Sequence, residues 1–272
     1  MTSTTGPALA ITPRGTLTGA RTLPSETAPL VLLHAFPLDH RMWEPAAGAL
    51  VDLPLLLVDL PGAGMSPVVE PTLAAAAEAL ADSLAAWGAS RWVVAGVSMG
   101  GYVAMALARS HPDPVAGLAL IDTKAAADDD AARVSRHEVA RRVLAENSVG
   151  AVIGMAEALV GPSSGASRPE LVAQVREWIA SGDAAGIAWA EAAMASRPDS
   201  SGTLRGLRCP ATVIVGDEDQ LSPPAVARQM AGAIPGATLN VVAQAGHLSP
   251  VEQPEQVAAA LRDLYGKALA RA

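Results

Sequence analysis

Three side chains of this 272-residue chain could together move an acyl group: Ser98, Asp219 and His247. A serine hydroxyl is a poor nucleophile near neutral pH and needs an adjacent imidazole to take its proton. The imidazole needs a carboxylate that fixes its tautomer and stabilises its cation. Ser98 is the centre of Gly96-Val97-Ser98-Met99-Gly100, preceded by the β-rich run from Trp92 and followed by a helix-compatible stretch, 102–109. Strand, G-x-S-x-G and helix in that order read as a nucleophile elbow, a bend so sharp that side chains two before and two after the serine would collide. The pentapeptide alone could equally be a glycine-rich turn, so its partners decide. His247 stands in Ala245-Gly246-His247-Leu248 and Asp219 in Gly216-Asp217-Glu218-Asp219, each just past an apolar run. Two other carboxylates compete for the acid's place: Asp217 on the same loop, and Asp122 at the end of an earlier apolar run.

Such groups meet where the carboxyl ends of parallel strands form a crevice, so the strands must be found. Leu30–Leu33 and 55–58 are aliphatic runs of the length and type expected for strands buried on both faces, and 92–97, 115–121, 211–215 and 238–242 read as further strands. Residues 8–12 and 16–20 read as a short hairpin or paired edge strands turning at Pro13, Arg14 and Gly15, with Leu23–Pro29 as a loop. A short helix fits 39–50. An amphipathic helix starts behind Thr72, with Leu73, Ala76, Ala77, Leu80, Leu84 and Trp87 on one face and Gly88 past its end. Strands alternating with helices predict an α/β fold with a mostly parallel sheet.

Residues 124–205 break that rhythm, with helical segments near 129–146, 148–160, 169–181 and 184–195. Gly161-Pro162-Ser163-Ser164-Gly165 and Ser181-Gly182-Asp183 read as separators. An all-helical insertion between two sheet strands predicts a cap over the carboxyl edge of the sheet. The expected organisation is therefore a core of 1–123 and 206–272 with a cap of 124–205. Past 205, Ser222 reads as an N-cap before Pro223, and Ser249-Pro250-Val251-Glu252 has capping-box spacing for a last helix reaching about 270.

Half of the residues are apolar and 17% charged, which suits a globular chain with an ample core. The net charge of −8 without a basic block argues against nucleic acid or an anionic membrane surface as partner. One cysteine, Cys209, excludes an internal disulfide and reads as a small buried residue. Asp128–Asp130 reads as a solvated helix start, lacking the spaced ligands of a metal site. The N-terminal Met1-Thr2-Ser3-Thr4-Thr5-Gly6-Pro7 lacks the pattern of a signal peptide, and no apolar run approaches a membrane span; a cytoplasmic location is the expectation.

His34-Ala35-Phe36-Pro37, Asp59-Leu60-Pro61-Gly62-Ala63-Gly64-Met65-Ser66, the elbow, the Asp219 loop and Gly246-His247 together resemble the α/β-hydrolase superfamily over nearly the whole chain. Within it, the chain is similar to the branch of 3-oxoadipate enol-lactonase-like proteins and small carboxylesterases, whose cap follows the sixth core strand; Ser196-Arg197-Pro198-Asp199-Ser200 adds to that likeness. The resemblance implies Ser98 as nucleophile, His247 as base and Asp219 as acid, with the backbone N–H groups of Phe36 and Met99 as oxyanion hole. It implies neither metal nor organic cofactor, and a small ester or lactone as substrate. Two positions depart from the usual pattern. His34-Ala35 replaces His-Gly, which a backbone donor tolerates if residue 35 avoids positive φ. Pro61-Gly62-Ala63-Gly64 lacks the usual Arg and His. Serine rather than aspartate at 98 disfavours haloalkane dehalogenase and epoxide hydrolase chemistry.

Ester, lactone and thioester hydrolysis and cofactor-free perhydrolysis all fit this triad, as does a receptor that keeps the pocket without turnover. An enol-lactonase must bind a free carboxylate, and Arg133, Arg136, Arg141, Arg142 and Arg197 are the cationic candidates, although helical arginines usually face solvent. Trp178 and Trp189 are candidate substrate contacts from the cap. Asp59 reads as a support of its glycine-rich turn, His34 as a support of the oxyanion loop, and His40, His111 and His137 as surface or helix-end residues.

Overall fold

The computed structural model describes residues 8–24 and 26–270. The N-terminal heptapeptide examined for a signal, Ser25 of the first loop and residues 271–272 lie outside them. In chain order the elements are β1 (Ile11–Gly15), β2 (Leu30–Leu33), α1 (Glu44–Gly48), β3 (Pro54–Val58), α2 (Leu73–Ala86), β4 (Trp92–Val97), α3 (Met99–Ser110) and β5 (Val115–Ile121). Then come α4 (Asp130–Glu146), α5 (Met155–Leu159), α6 (Pro162–Ser167), α7 (Pro169–Ala180), α8 (Ala184–Ala195) and α9 (Ser201–Arg205). The sheet resumes with β6 (Ala211–Gly216), α10 (Pro224–Ala233) and β7 (Thr238–Val242), and the chain closes with α11 (Ser249–Glu252) and α12 (Pro254–Leu269).

The seven strands form one sheet in the order β1-β3-β2-β4-β5-β6-β7, antiparallel only at β1. β2, β4, β5 and β6 are buried along their whole length, which is why they read as unbroken aliphatic runs. Leu30, Leu32 and Leu33 are fully enclosed, each worth about 2 kcal/mol of transfer free energy. Strand order reverses direction between β2 and β4, so the crevice of this sheet opens at their carboxyl ends. The loops that leave those two strands carry Phe36 and Ser98.

α2 keeps its sequence pattern: Leu73, Ala76, Ala77, Leu80 and Leu84 are buried, and the Thr72 hydroxyl accepts the N–H of Ala75. Between β5 and β6 every element is helical. No helix among the described residues is long and apolar enough to cross a membrane.

Several expectations are corrected. The first strand is not half of a hairpin. Residues 11–15 pair with β3, and at Gly15, with φ +59 and its Cα facing the Leu53 carbonyl, the chain turns out of the sheet. The helical insertion follows 115–121 as expected, and that strand counts as the fifth of the described sheet only because residues 16–20 add none. Gly161–Gly165 is no separator, because Pro162 starts α6. The segment 148–160 divides into a 3-10 turn, 149–151, and α5. α10 begins at Pro224 instead of behind Ser222, since a residue before proline is driven to extended backbone, here Pro223 at ψ 156. Pro254 likewise splits the final helix at Gln253. Ser249 makes no cap bond. Cys209 is half-buried at the edge of the core.

Candidate active site

At the end of β4, Ser98 takes φ 52 and ψ −111, a left-handed conformation that costs a non-glycine residue roughly 1–3 kcal/mol. The strain is held by packing: a Cβ on Gly96 would strike the Gly100 carbonyl, and one on Gly100 would strike that of Leu33. Ser98 N–H donates to the Ile121 carbonyl (2.9 Å), and the Ser98 carbonyl accepts the Thr123 hydroxyl (2.8 Å). These contacts leave Oγ projecting from the bend at the head of α3.

The structure brings the three predicted side chains together. His247 Nε2 lies 2.8 Å from Ser98 Oγ, and Nδ1 lies 2.9 Å from Asp219 Oδ2. An N–H at Nδ1 donating to the carboxylate leaves Nε2 free to accept the serine proton. The rival acids are elsewhere. Asp217 is exposed and accepts the Ala245 N–H. Asp122 is fully buried at φ 46, its Oδ1 taking the Gly216 N–H and its Oδ2 both the N–H and hydroxyl of Ser249. Burial and the nearby Asp219 push its pKa up to about 7, against the opposing pull of His247, Ser249 and Gly216.

Below the site, His34 is a support. Its Nε2 accepts the Leu60 N–H and its Nδ1 donates to the Ala35 carbonyl, while burial holds its pKa below the ordinary imidazole value. Ala35 is not among the positive-φ residues, as its replacement of glycine requires. Asp59 braces the glycine-rich turn through Met65 N–H, as expected, but its other oxygen holds His40, with Nδ1 at 2.7 Å. His40 is thus half-buried and paired, and that hydrogen bond raises its pKa. Asp39, His40 and Asp59 are the one group of three potential metal ligands among the described residues. Arg41 already occupies Asp39 with a two-pronged pair.

A cleft beside the elbow is lined by Phe36 and Met99, the two predicted oxyanion donors, and roofed by Trp178, Gly186, Ile187 and Ala190. Its volume of about 30 Å³ holds no more than a water or two. Trp178 therefore faces the site. Trp189 does not: it sits on the other side of α8, in an outer groove, with its indole N–H on the Glu70 carbonyl (3.1 Å).

The insertion's arginines are also accounted for. Arg136 bonds Asp128 (2.5 Å) and Glu191 (2.8 Å), and the buried Arg197 bonds Asp128 (2.6 Å) while stacking 4.2 Å above the Tyr102 ring. Asp128 is consequently no solvated helix start. Burial opposes its charge, yet hydrogen bonds from Arg197 and Arg136 outweigh this and bring its pKa down to about 2. Asp129 alone caps α4. Arg133 pairs with Asp130 and Arg142 with Glu146, and Arg141 lines the outer groove. Sequence reasoning missed this network, because Asp128, Arg136, Glu191 and Arg197 are scattered along the insertion and share no local pattern.

Comparison with known proteins adds an independent line. The model of the α/β-hydrolase fold family matches residues 28–254. A thermophilic esterase from Thermogutta terrifontis, solved with malate bound, is 38% identical and superposes with a TM-score of 0.88, covering 96% of this chain and 93% of that one. The enol-lactonase from Burkholderia xenovorans LB400 is 26% identical, with a TM-score of 0.81 over 95% and 96% of the two chains. A bifunctional biotin-biosynthesis protein from Cellvibrio japonicus is 30% identical over 244 residues, 87% of this chain but 47% of that protein, so the chain spans about half its length.

Proposed function

The chain belongs to the α/β-hydrolase fold family, and from that premise we propose that it cleaves a small, neutral carboxylic ester or lactone by acyl transfer to Ser98. One observation carries the proposal: the continuous chain of hydrogen bonds from Ser98 Oγ through His247 to Asp219, at 2.8 and 2.9 Å. In the cycle, Ser98 Oγ bonds to the carbonyl carbon while its proton passes to His247 Nε2, and the carbonyl π pair moves onto oxygen. The N–H groups of Phe36 and Met99 stabilise that oxyanion, a contribution of about 3 kcal/mol per donor. Collapse expels the alkoxide, which takes the proton back from His247. Water, deprotonated by His247, then releases the acid and restores Ser98.

Residues 124–205 act in this reading as a cap. Its α7 and α8 supply the roof of the cleft, and the closeness of the roof requires it to shift when substrate enters. The preference for a neutral substrate rests on charge. The ionisable side chains lining the cleft are His34, Asp39 and Asp183, and no lysine or arginine lines it among the described residues. The five candidate arginines of the cap are committed to Asp128, Glu191, Asp130 and Glu146 or lie outside. A lactone bearing a free carboxylate would meet no cationic partner there, which favours a general esterase or lactonase over 3-oxoadipate enol-lactone hydrolysis.

The test combines labelling with a matched substrate pair. A fluorophosphonate probe labels wild type but not Ser98→Ala, and labels His247→Ala far more slowly. Dimethyl succinate is turned over faster than monomethyl succinate. Failure of wild type to label or to hydrolyse short p-nitrophenyl esters overturns the hydrolase reading, and preference for the monoester overturns the neutral-substrate reading.

A further inference from the structure

The loop that presents His247 is held by groups outside the triad. Gly246 N–H (2.9 Å) and Leu248 N–H (3.2 Å) both donate to Glu252 Oε1, and His247 N–H donates to the Leu159 carbonyl (3.0 Å). The second Glu252 oxygen, Oε2, accepts Gly161 N–H at 2.9 Å. Glu252 is 1% exposed. One buried carboxylate thus binds both flanks of the imidazole-bearing residue and, at the same time, the segment between α5 and α6. That segment reaches the acid's loop as well: Glu218, next to Asp219, accepts the N–H of Ser163 (2.9 Å) and its hydroxyl. The two chains run so close that a Cβ on Gly161 would lie 2.6 Å from Gly246 N.

We propose that Glu252 is a positioning residue for His247, clamping the base's loop to residues 159–163 of the insertion so that Nε2 stays within reach of Ser98. The proposal rests on the serine-hydrolase reading above. A carboxylate suits the place because every group it meets is a backbone N–H donor. An amide of the same shape has one acceptor oxygen and turns an NH₂ towards the other donors, so Glu252→Gln gives up either the bond to Gly161 or both bonds to the flanks of His247, and the clamp between them opens either way. Displacing a reacting group by about 1 Å can cost roughly 100-fold in rate.

The experiment measures Glu252→Gln and Gly161→Ala, each normalised to the fraction of sites that react with a fluorophosphonate titrant. Glu252→Gln is expected to lower kcat per titrated site by about 100-fold with KM within about threefold, and to slow labelling in parallel. A merely structural role would reduce the titratable fraction and the melting temperature but leave the per-site kcat intact, and that result overturns the proposal. Gly161→Ala presses on the same loop without altering Glu252, and is expected to lower per-site kcat in the same sense. If Glu252→Gln does not fold, Gly161→Ala decides: an unchanged per-site kcat overturns the clamp. Wild type that neither labels nor turns over esters removes the hydrolase reading itself, and the clamp with it.

Discussion

Asp219 divides its carboxylate between His247 and its own loop: Oδ2 faces the imidazole Nδ1, and Oδ1 accepts the N–H groups of Leu221 (2.8 Å) and Ser222 (2.9 Å). The loop thereby fixes the carboxylate that fixes the ring. Asp219→Asn is expected to keep the loop bonds but to present the ring with an amide, favouring the wrong tautomer and lowering kcat by about 10⁴-fold. Asp217→Asn, at an exposed side chain, is expected to change kcat by no more than about twofold. Steady-state hydrolysis of a p-nitrophenyl ester measures both, and equal losses would overturn the assignment.

Asp122 makes stability depend on pH. Its folded pKa of about 7 lies above the unfolded carboxylate value, so the folded chain binds the proton more tightly. The stability this confers is complete below about pH 4 and is lost as pH rises through 7, by about 4 kcal/mol at most. Asp122→Asn removes this slope. Urea unfolding at pH 5 and pH 8 is expected to show the variant gaining on wild type at the higher pH; a constant difference would refute it.

Arg197 and Asp128 form a pair almost without solvent contact. Removing Arg197 leaves the buried Asp128 with Arg136 as its remaining arginine partner, so Arg197→Met is expected to cost about 3 kcal/mol, the low end for a broken buried pair. Asp128→Asn in the same background is expected to cost less than the sum of the single changes, with a coupling above about 1 kcal/mol in a double-mutant cycle. Strict additivity in thermal or urea unfolding would contradict the network.

Gly186 lets α8 rest directly on the Gly62 turn, for a Cβ there would strike the Gly62 carbonyl. Gly186→Ala is expected to lift α8, destabilise the fold by about 2 kcal/mol and relax the roof. The measurable consequence is a higher ratio of kcat/KM for p-nitrophenyl octanoate over p-nitrophenyl acetate. A fall in that ratio would mean that α8 does not gate acyl size.

The strands were legible because burial on both faces leaves a dense local pattern, as in Leu30–Leu33 and 115–121, and the elbow because Gly96–Gly100 stands between such a strand and a helix. Asp219 and His247 were legible by their place after strands. Of the residues that hold the site, His34 and Asp59 were legible as supports, whereas Ser249 and Glu252 were not. Ser249-Pro250-Val251-Glu252 has the spacing of a capping box, yet Ser249 bonds Asp122 and Glu252 grips Gly161 and Gly246. Tertiary partners far along the chain redirected both side chains, and no local periodicity reports such partners. Trp178 and Trp189 differ for a like reason. Both lie on helices of the insertion, and only the packing of α8 decides which one faces inwards.

The bond from His247 N–H to Leu159 bears on which parts of this chain can be inherited separately. A chain cut back to the sheet and its flanking helices would leave that N–H, the Glu218 carboxylate and one oxygen of Glu252 unpartnered beside the imidazole. Replacing the whole insertion would therefore remove partners that the loops of His247 and Asp219 use. The exchangeable piece is shorter, residues 169–195, whose replacement leaves each of those bonds in place. Divergence in what enters the cleft should therefore concentrate in that piece, while 159–164 travels with the sheet.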